Sequence, residues 1–281
     1  MPRFDVTGKT ALITGAARGI GFATAKALIA RGANVAVVDL DAANAQEAAG
    51  RLHAERAAGF GADVTDRAAM QRVASQVVER FGGIDVVVAN AGIAARAATF
   101  RAMPTETFER VIDVNQHGVV YTVQAALPQI IERSGHVVVI SSVYAFVNGM
   151  GAAPYAMSKA AVEQFGRALR VELAPHGASA TVAYFGFIDT TMVHESLDND
   201  PLTVGVIEMM PRPLRKRLQP EVAGEAIAAG IEQRAPRVIR PKRWAALSAL
   251  RGVLNPALDR RMVSDARMQA VIAEADSRDL A

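Results

Sequence analysis

The amino-acid sequence predicts a doubly wound α/β fold, in which one parallel sheet of seven strands carries helices on both faces. Val-rich apolar runs alternate with helical stretches along the chain, as in parallel strands that are buried on both faces. The first apolar run, residues 10–14, breaks into a glycine-rich loop and then a helical pattern. Hydrophobic residues make up 51% of the 281 residues, which is enough for a large core.

The other elements are predicted from the same alternation. Strands are expected at residues 34–38, in a short segment ending in Ala62-Asp63-Val64, and at 84–89, 136–140, 179–184 and 237–241. Helices are expected at residues 42–57, 66–81, 105–131 and 155–173. In such sheets ligands bind at the carboxyl ends of the strands, so polar residues that follow a strand are candidate site residues.

The glycine-rich loop predicts a dinucleotide site. It runs Gly15-Ala16-Ala17-Arg18-Gly19-Ile20-Gly21, between the first strand and the first helix. Glycines allow the backbone to turn tightly and to approach a pyrophosphate, and the helix N-terminus supplies free amides and a positive dipole end. The alternative is a purely structural turn, but the strand–loop–helix context favours the dinucleotide.

The second strand ends in Asp39-Leu40-Asp41, which bears on the choice of cofactor. A carboxylate at this strand tip accepts hydrogen bonds from the adenosine ribose hydroxyls and repels a 2′-phosphate, so Asp39 favours NAD over NADP. Asp41 is better placed to cap the next helix. Arg18 favours the alternative, NADP, because a basic side chain in the loop can pair with a 2′-phosphate.

Tyr155 and Lys159 are the candidate catalytic pair. Residues at i and i+4 lie on one helix face, so the phenol and the ammonium are expected to be neighbours. At about 4 Å and an effective dielectric of about 20, the ammonium would lower the tyrosine pKa by roughly three units. Such a tyrosine can act as a base near neutral pH.

These motifs together resemble those of the short-chain dehydrogenase/reductase family, over roughly residues 7 to 240. The cofactor loop is Thr14-Gly15-x-x-x-Gly19-x-Gly21, the fourth-strand motif is Asn90-Ala91-Gly92, and the adenine-side pair is Asp63-Val64. Asn115, Ser142, Tyr155 and Lys159 stand at the spacing of the family's catalytic tetrad. The resemblance implies a Rossmann-type fold and hydride transfer between a nicotinamide dinucleotide and a secondary alcohol or ketone.

The resemblance also assigns roles to single residues. Tyr155 exchanges the alcohol proton, Lys159 lowers the tyrosine pKa and holds the nicotinamide ribose, Ser142 positions the reacting oxygen, and Asn115 anchors a water that relays protons to Lys159. The residues expected to bind the cofactor are Gly15, Ala17, Arg18, Gly19, Ile20, Gly21, Asp39, Leu40, Asp63, Val64, Asn90, Ala91, Gly92, Tyr155, Lys159, Gly186, Ile188 and Thr190. The resemblance implies no metal. It implies a homodimer or a homotetramer.

The chain departs from the family pattern after the sixth strand, where Phe185-Gly186 replaces the usual Pro-Gly. Phe185 and Phe187 predict either an apolar substrate, such as a steroid, terpene or lipid-like compound, or core packing. Residues 190–218 hold the substrate-loop position and are rich in Met and Pro, which suits an irregular hydrophobic pocket.

The chain also departs from the family pattern at its C-terminus. Residues 1–241 are predicted to form the dinucleotide-binding and catalytic domain, and 242–281 a helical extension of it. In that extension an apolar stripe at helical spacing is surrounded by basic residues; its members are Trp244, Leu247, Leu250, Val253 and Leu254. The stripe is expected to pack on its own domain or a sister subunit, with peripheral contact to a membrane surface as the alternative.

Composition and charge narrow the classes of function. The chain has no cysteine, which excludes disulfides and Cys-ligated metal centres. The net charge of +3 arises from basic residues near the C-terminus, without the interleaved aromatics of a nucleic-acid reader, so no nucleic-acid partner is expected. The N-terminus lacks a signal-peptide layout, and a cytoplasmic enzyme is expected. A non-catalytic redox sensor or scaffold that binds a dinucleotide is the alternative function.

Overall fold

The computed structural model of the protein describes residues 2–278, except the side chains of Leu197, Pro201 and Leu202. Seven parallel strands form one sheet in the order β3-β2-β1-β4-β5-β6-β7. This arrangement confirms the predicted fold class. The strands are β1 (Thr10–Thr14), β2 (Asn34–Asp39), β3 (Ala57–Gly61), β4 (Val86–Ala89), β5 (His136–Ser142), β6 (Ser179–Phe185) and β7 (Arg237–Arg240).

Helices connect the strands and cover both faces of the sheet. The α-helices are α1 (Gly19–Ile29), α2 (Ala42–Leu52), α3 (Arg67–Phe81), α4 (Thr105–Ile112), α5 (Gly118–Glu132), α6 (Ala153–Glu172), α7 (Thr191–Val193), α8 (Pro201–Met209), α9 (Arg212–Arg215), α10 (Pro220–Glu232), α11 (Trp244–Ser264) and α12 (Ala266–Asp276). One buried apolar cluster lies between the sheet and helices α1, α2 and α10, and a second lies on the face of α3, α5 and α6.

Strand β3 is the element that the sequence placed least well. It was expected to end at Val64 after a helix reaching residue 57, but helix α2 ends at Leu52 and β3 occupies Ala57–Gly61. The strand reads Ala-Ala-Gly-Phe-Gly, which carries no β-branched residue. Its glycines have a packing reason, since a Cβ on Gly59 would lie 2.4 Å from the carbonyl carbon of Ala45 in α2.

The predicted helix over residues 105–131 is interrupted. Helix α4 ends at Ile112, a π-helical turn spans Asp113–His117, and α5 begins at Gly118. Such π-turns are often found at functional sites because they redirect a side chain without ending the helix. Asn115 lies in this turn and is fully buried, so it is not a surface residue.

The C-terminal extension forms α11 and α12, and the predicted stripe divides between core and surface. Trp244 is completely buried and belongs to the core on the α6 face, and Leu247 packs against it. By contrast Leu250, Val253 and Leu254 are exposed, with 53%, 76% and 36% of their surface open. The first half of the stripe therefore packs on its own domain, and packing of the second half on a sister subunit stays a prediction. Within residues 2–278, no helix is long and apolar enough to cross a membrane.

Candidate active site

A cavity of about 350 Å³ runs along the carboxyl edge of the sheet and brings most of the predicted cofactor residues together. Gly15, at the end of β1, has φ +61°, and Gly21, in the first turn of α1, approaches it closely. A Cβ on Gly21 would lie 2.4 Å from the Gly15 carbonyl oxygen, so only glycine fits. The predicted residues that line the cavity are Gly15, Arg18, Gly19, Ile20, Asp39, Leu40, Asp63, Val64, Asn90, Ala91, Gly92, Tyr155, Lys159, Gly186, Ile188 and Thr190.

Asp39 stands at one end of this cavity, fixed by the backbone around it. Its carboxylate accepts the Ala17 amide at 3.0 Å and the Leu40 amide at 2.9 Å. Asp41 caps α2 by accepting the Ala43 and Asn44 amides, as expected, whereas the role of Asp39 at a ribose stays a prediction. The Arg18 side chain is exposed beside the same loop and makes no capping contact.

Asp63 and Asn90 contribute to the same wall in different ways. The Asp63 carboxylate accepts the Thr65 amide at 2.9 Å and the Thr65 hydroxyl at 2.8 Å, and it pairs with Arg110 at 3.4 Å. Burial raises the pKa of Asp63, but these bonds outweigh burial and lower it overall. Asn90 donates to the carbonyls of Thr14 and Gly15 at 2.9 and 3.0 Å. The Asn90 amide therefore ties the end of β4 to the glycine loop and holds the loop in shape.

Tyr155 and Lys159 lie one above the other near the start of α6, as predicted. The Lys159 ammonium lies 5.5 Å from the centre of the Tyr155 ring and donates to the Ile140 carbonyl at 3.0 Å. Only 4% of Lys159 is exposed, and this burial lowers its pKa to about 8.

The expected lowering of the Tyr155 pKa by Lys159 is not observed in the protein alone. Burial of the phenol raises its pKa, and a hydrogen bond with Ser142 opposes this only in part. The ammonium is directed to the Ile140 carbonyl rather than to the phenol oxygen, so the cost of removing the phenolate from water prevails.

Asn115 is held next to Lys159 by its backbone neighbours. Its amide group accepts the Ile93 amide at 2.8 Å and donates to the Ile93 carbonyl at 2.9 Å. A Cβ built on Gly92 would lie 3.2 Å from the Asn115 amide oxygen and 3.4 Å from the Lys159 nitrogen. The oxygen of Asn115 and the ammonium of Lys159 therefore flank the same space above Gly92.

A second cavity, of about 130 Å³, opens on the other side of Tyr155. Ser142 lines this second cavity, and its hydroxyl donates to the Phe185 carbonyl at 3.3 Å. Lys159 lines only the first cavity, whereas Tyr155 lines both. The four predicted catalytic residues are thus brought together, with Tyr155 at the boundary between a long groove and a smaller pocket.

The segment after β6 separates the two cavities. Phe185 is buried and contributes to the wall of the first cavity, whereas Phe187 lines the second, so the two phenylalanines have different surroundings. Gly186 lines both cavities, and a Cβ there would lie 2.6 Å from the indole nitrogen of Trp244. Helix α11 therefore supports the floor of the site through Trp244.

Thr190 caps α7, since its hydroxyl accepts the Val193 amide at 3.5 Å. Its methyl group lies 3.4 Å from the position of a Cβ on Gly19. Ile188 forms a parallel bridge with Leu218. These contacts keep the start of the substrate loop against the glycine loop without the family's proline.

Three residues of the site did not emerge from the sequence. Ser141 donates to the Lys159 carbonyl at 2.8 Å and fixes α6 against β5. Ser158 lies 3.4 Å from the Asn115 amide nitrogen, and the Tyr144 ring meets Tyr155 edge-on at 5.7 Å. Ser158 and Ser141 adjoin Lys159 and Ser142 in the chain, so proximity to the tetrad was the available signal.

Comparisons with known proteins agree with this geometry. A model of the short chain dehydrogenase family matches residues 9–201. The chain is 36% identical to Oxidoreductase UcpA of Salmonella typhimurium over 232 residues, which cover 79% of this chain and 87% of that protein. It is 34% identical to 2-(R)-hydroxypropyl-CoM dehydrogenase of Xanthobacter autotrophicus over 211 residues, covering 73% and 84%.

A solved structure is similar as well. The crystal structure of a short-chain type dehydrogenase/reductase from Mycobacterium marinum superimposes with a TM-score of 0.75 at 30% identity, covering 84% of this chain and 94% of that one. The fold and the matched residues define an oxidoreductase with a Rossmann-type α/β fold. The chain belongs to the short-chain dehydrogenase/reductase family.

Proposed function

We propose that the protein transfers a hydride between NAD and a secondary alcohol or its ketone. The observation that carries this proposal is the position of Tyr155, whose side chain borders both the long groove and the pocket. Lys159 is on the groove side of Tyr155 and Ser142 on the pocket side. A proton donor between two sites is what transfer between a cofactor and a substrate requires.

The groove fits a nicotinamide dinucleotide. Free amides at the start of α1 and the close approach of Gly15 and Gly21 suit the pyrophosphate, and the Asp39 carboxylate suits the ribose hydroxyls. Lys159 would hold the second ribose, while Gly186, Ile188 and Thr190 would meet the nicotinamide end. When bound, the oxidised nicotinamide accepts the hydride and adds a positive charge that favours the Tyr155 phenolate.

The residues of the chain then transfer the proton and position the substrate. Ser142 offers a hydroxyl to the reacting oxygen, and Tyr155 accepts the alcohol proton at its phenol oxygen in oxidation or returns it in reduction. Lys159 has ammonium protons beyond the one given to Ile140 and can pass a proton on through water. Asn115 cannot turn away, because both ends of its amide are bonded to Ile93.

The proposed substrate is apolar because the pocket is. Its lining contains methionine, valine and alanine side chains, and the polar side chains among the described residues are hydroxyls, with no ionised group. A pocket of this kind favours an uncharged alcohol that buries hydrocarbon. The 2-hydroxypropyl group in the name of the Xanthobacter relative is itself a secondary alcohol, which supports the proposed reacting group.

The experiment that tests this function is a screen of the purified protein with NAD and NADP against steroid, terpene and aliphatic secondary alcohols and their ketones. Turnover of an apolar secondary alcohol supports the proposal. Tight NADH binding with no turnover of any alcohol or ketone would instead favour a redox sensor.

The preference for NAD rests on the Asp39 carboxylate and can be tested separately. Asp39→Asn removes the charge but keeps an amide oxygen that can still accept the Ala17 or Leu40 amide. We expect the ratio of kcat/KM for NAD to that for NADP to exceed one in the wild type and to fall at least about fivefold in the variant. Arg18→Met, the matched change across the loop, should reduce NADP use more than NAD use. A wild type that prefers NADP would contradict the assignment.

We further propose a two-fold homo-oligomer that uses α6, with residues 242–278 forming an extension of the same domain. Met157 and Val171 are 56% and 74% exposed, and the exposed Ala160 and Ala168 lie between them on the same helix face. A patch of this kind on a rigid helix suits an isologous contact. Light scattering at micromolar concentration should give a multiple of 29.7 kDa, and a monomer throughout would overturn the proposal.

A further inference from the structure

The pocket beside Tyr155 has one wall from the C-terminal helix α12. Ala275 lies on this helix, lines the pocket and is only 3% exposed. The other lining residues come from the body of the fold and from the substrate loop. Among residues 242–278, Ala275 is thus the one that lines the substrate side of the site.

Residue Asp276, directly after Ala275, fastens α12 to the loop that precedes α4. Its carboxylate pairs with the Arg101 guanidinium at 3.1 Å and also accepts the Thr99 hydroxyl. Arg101 makes a second contact, to the Asp276 carbonyl at 2.9 Å. These bonds fix the register of the helix end on one side of the pocket.

Arg278, three residues beyond Ala275, fastens the same end to the substrate loop. Its guanidinium meets both carboxylate oxygens of Asp200, at 2.8 and 2.5 Å, immediately before α8. It also donates to the Ala97 carbonyl at 3.1 Å. Asp200 is 2% exposed, so this bidentate pair is shielded from water and holds a defined geometry.

We propose that Ala275 determines the size of the alcohol that the pocket accepts, an inference that rests on the function proposed above. Methionines elsewhere in the lining, such as Met103, Met150 and Met210, can change rotamer to fit different shapes. Ala275 has no rotamer to change, and the helix end that carries it is held by Asp276 and Arg278. A larger side chain at this position would project into a cavity of only about 130 Å³ and could not withdraw.

The test compares Ala275→Leu with the matched change Ala273→Leu, on an exposed position of the same helix. Both variants and the wild type are assayed with the smallest and the largest 2-alkanol that the wild type oxidises. We expect Ala275→Leu to lower kcat/KM for the largest alcohol at least about tenfold and for the smallest less than about twofold. Ala273→Leu should leave both within about twofold. Equal losses for both alcohols, or no loss, would overturn the proposal.

A second measurement does not depend on turnover and separates this inference from the proposed function. Because the chain has no cysteine, Ala275→Cys and Ala273→Cys each introduce a single thiol. A polyethylene-glycol maleimide should label the position-273 variant rapidly and the position-275 variant at least about tenfold more slowly, while the small reagent methyl methanethiosulfonate reaches both. Equal labelling by the large reagent would mean that α12 does not form the wall, whatever the alcohol screen gives.

Discussion

The two edges of the sheet both bury polar and charged side chains, but they satisfy them differently. At the amino edge, His136 is fully buried, and its two ring nitrogens lie 2.7 Å from the Ser179 hydroxyl and 2.8 Å from the Thr181 hydroxyl. Arg234 donates to the Ser134 and Gly135 carbonyls at 2.6 and 3.1 Å.

Asp85 completes the amino edge. Its carboxylate accepts the Thr10 amide and the Arg133 guanidinium, each at 3.0 Å, and pairs with Lys9 at 3.2 Å. At the start of the strands, side chains from separate segments therefore satisfy one another's hydrogen-bonding groups. Such a network stabilises the fold, and its buried members bond one another rather than facing a cavity.

At the carboxyl edge, polar groups keep hydrogen-bonding capacity that faces a cavity. The Lys159 ammonium has three protons and, among the described residues, one hydrogen-bond acceptor, Ile140. Burial and a shifted pKa therefore do not by themselves identify a ligand-binding site. His136 has a strongly shifted pKa and both of its ring nitrogens bond to hydroxyls of the fold, whereas Lys159 combines a shifted pKa with unused donors beside a cavity.

The largest expected effect on stability is at the amino edge, for Arg234→Met. This change removes the Arg234 hydrogen bonds to the Ser134 and Gly135 carbonyls and to the Ser179 hydroxyl. The Gly135 carbonyl still accepts the Ser179 amide, and the loss should cost about 4 kcal/mol of unfolding free energy. The kcat of the folded protein should stay within about twofold, because the edge is remote from the groove. Urea unfolding measures the change in stability, and steady-state kinetics measure the change in kcat. A large fall in kcat without loss of stability would contradict a structural role for the amino edge.

His136 should make the amino edge sensitive to acid. Burial, with Arg234 and Arg170 nearby, lowers its pKa from 6.5 to about 3, so the folded protein keeps the ring neutral while the unfolded chain takes up a proton below pH 6.5. Stability is therefore lost as pH falls from 6.5 towards 3, by about 3 kcal/mol at pH 4.5. Urea unfolding at several pH values should give a shallower loss for His136→Gln. Equal slopes would contradict the buried neutral ring.

Lys159→Met should have a smaller effect of opposite sign, at the carboxyl edge. The folded pKa of Lys159, about 8, lies below its ordinary 10.5, so the charged form is disfavoured in the fold. This cost of about 3 kcal/mol is fully present below pH 8 and disappears as pH rises from 8 to 10.5.

Because the variant also loses the bond to Ile140, worth about 1 kcal/mol, the net gain without cofactor at pH 7 should be about 2 kcal/mol, together with loss of turnover. Urea unfolding of both proteins at pH 7 and pH 10.5 measures this difference in unfolding free energy. The gain in stability of the variant should be absent at pH 10.5. A variant less stable than the wild type at pH 7 would show that the ammonium is well satisfied, as at the amino edge.

The sequence predicted the carboxyl edge better than the parts that shape it. The strand ends and the spacing of Ser142, Tyr155 and Lys159 are local, so the motifs located the groove and its residues. Strand β3 was misplaced because Ala and Gly carry little strand signal, and its position depends on pairing with β2.

The position of Ala275 in the pocket wall could not be predicted from the sequence for a different reason. The bond from Asp276 to Thr99 joins residues 177 positions apart, and no local pattern reports such a contact. The upward shift of the Tyr155 pKa likewise depends on burial by elements distant in sequence, chiefly desolvation around the phenol, which spacing alone did not reveal.

Tyr155→Phe is the measurement that tests the central claim most directly, with Tyr144→Phe as its control. Both tyrosines line the pocket and their rings are in contact, but Tyr144 does not line the groove. We predict that Tyr155→Phe lowers kcat by about 10²–10⁴-fold while the Kd for NADH, from fluorescence titration, changes less than about threefold. Tyr144→Phe should keep kcat within about fivefold. Retention of more than about a tenth of wild-type kcat by Tyr155→Phe would contradict proton transfer by this residue.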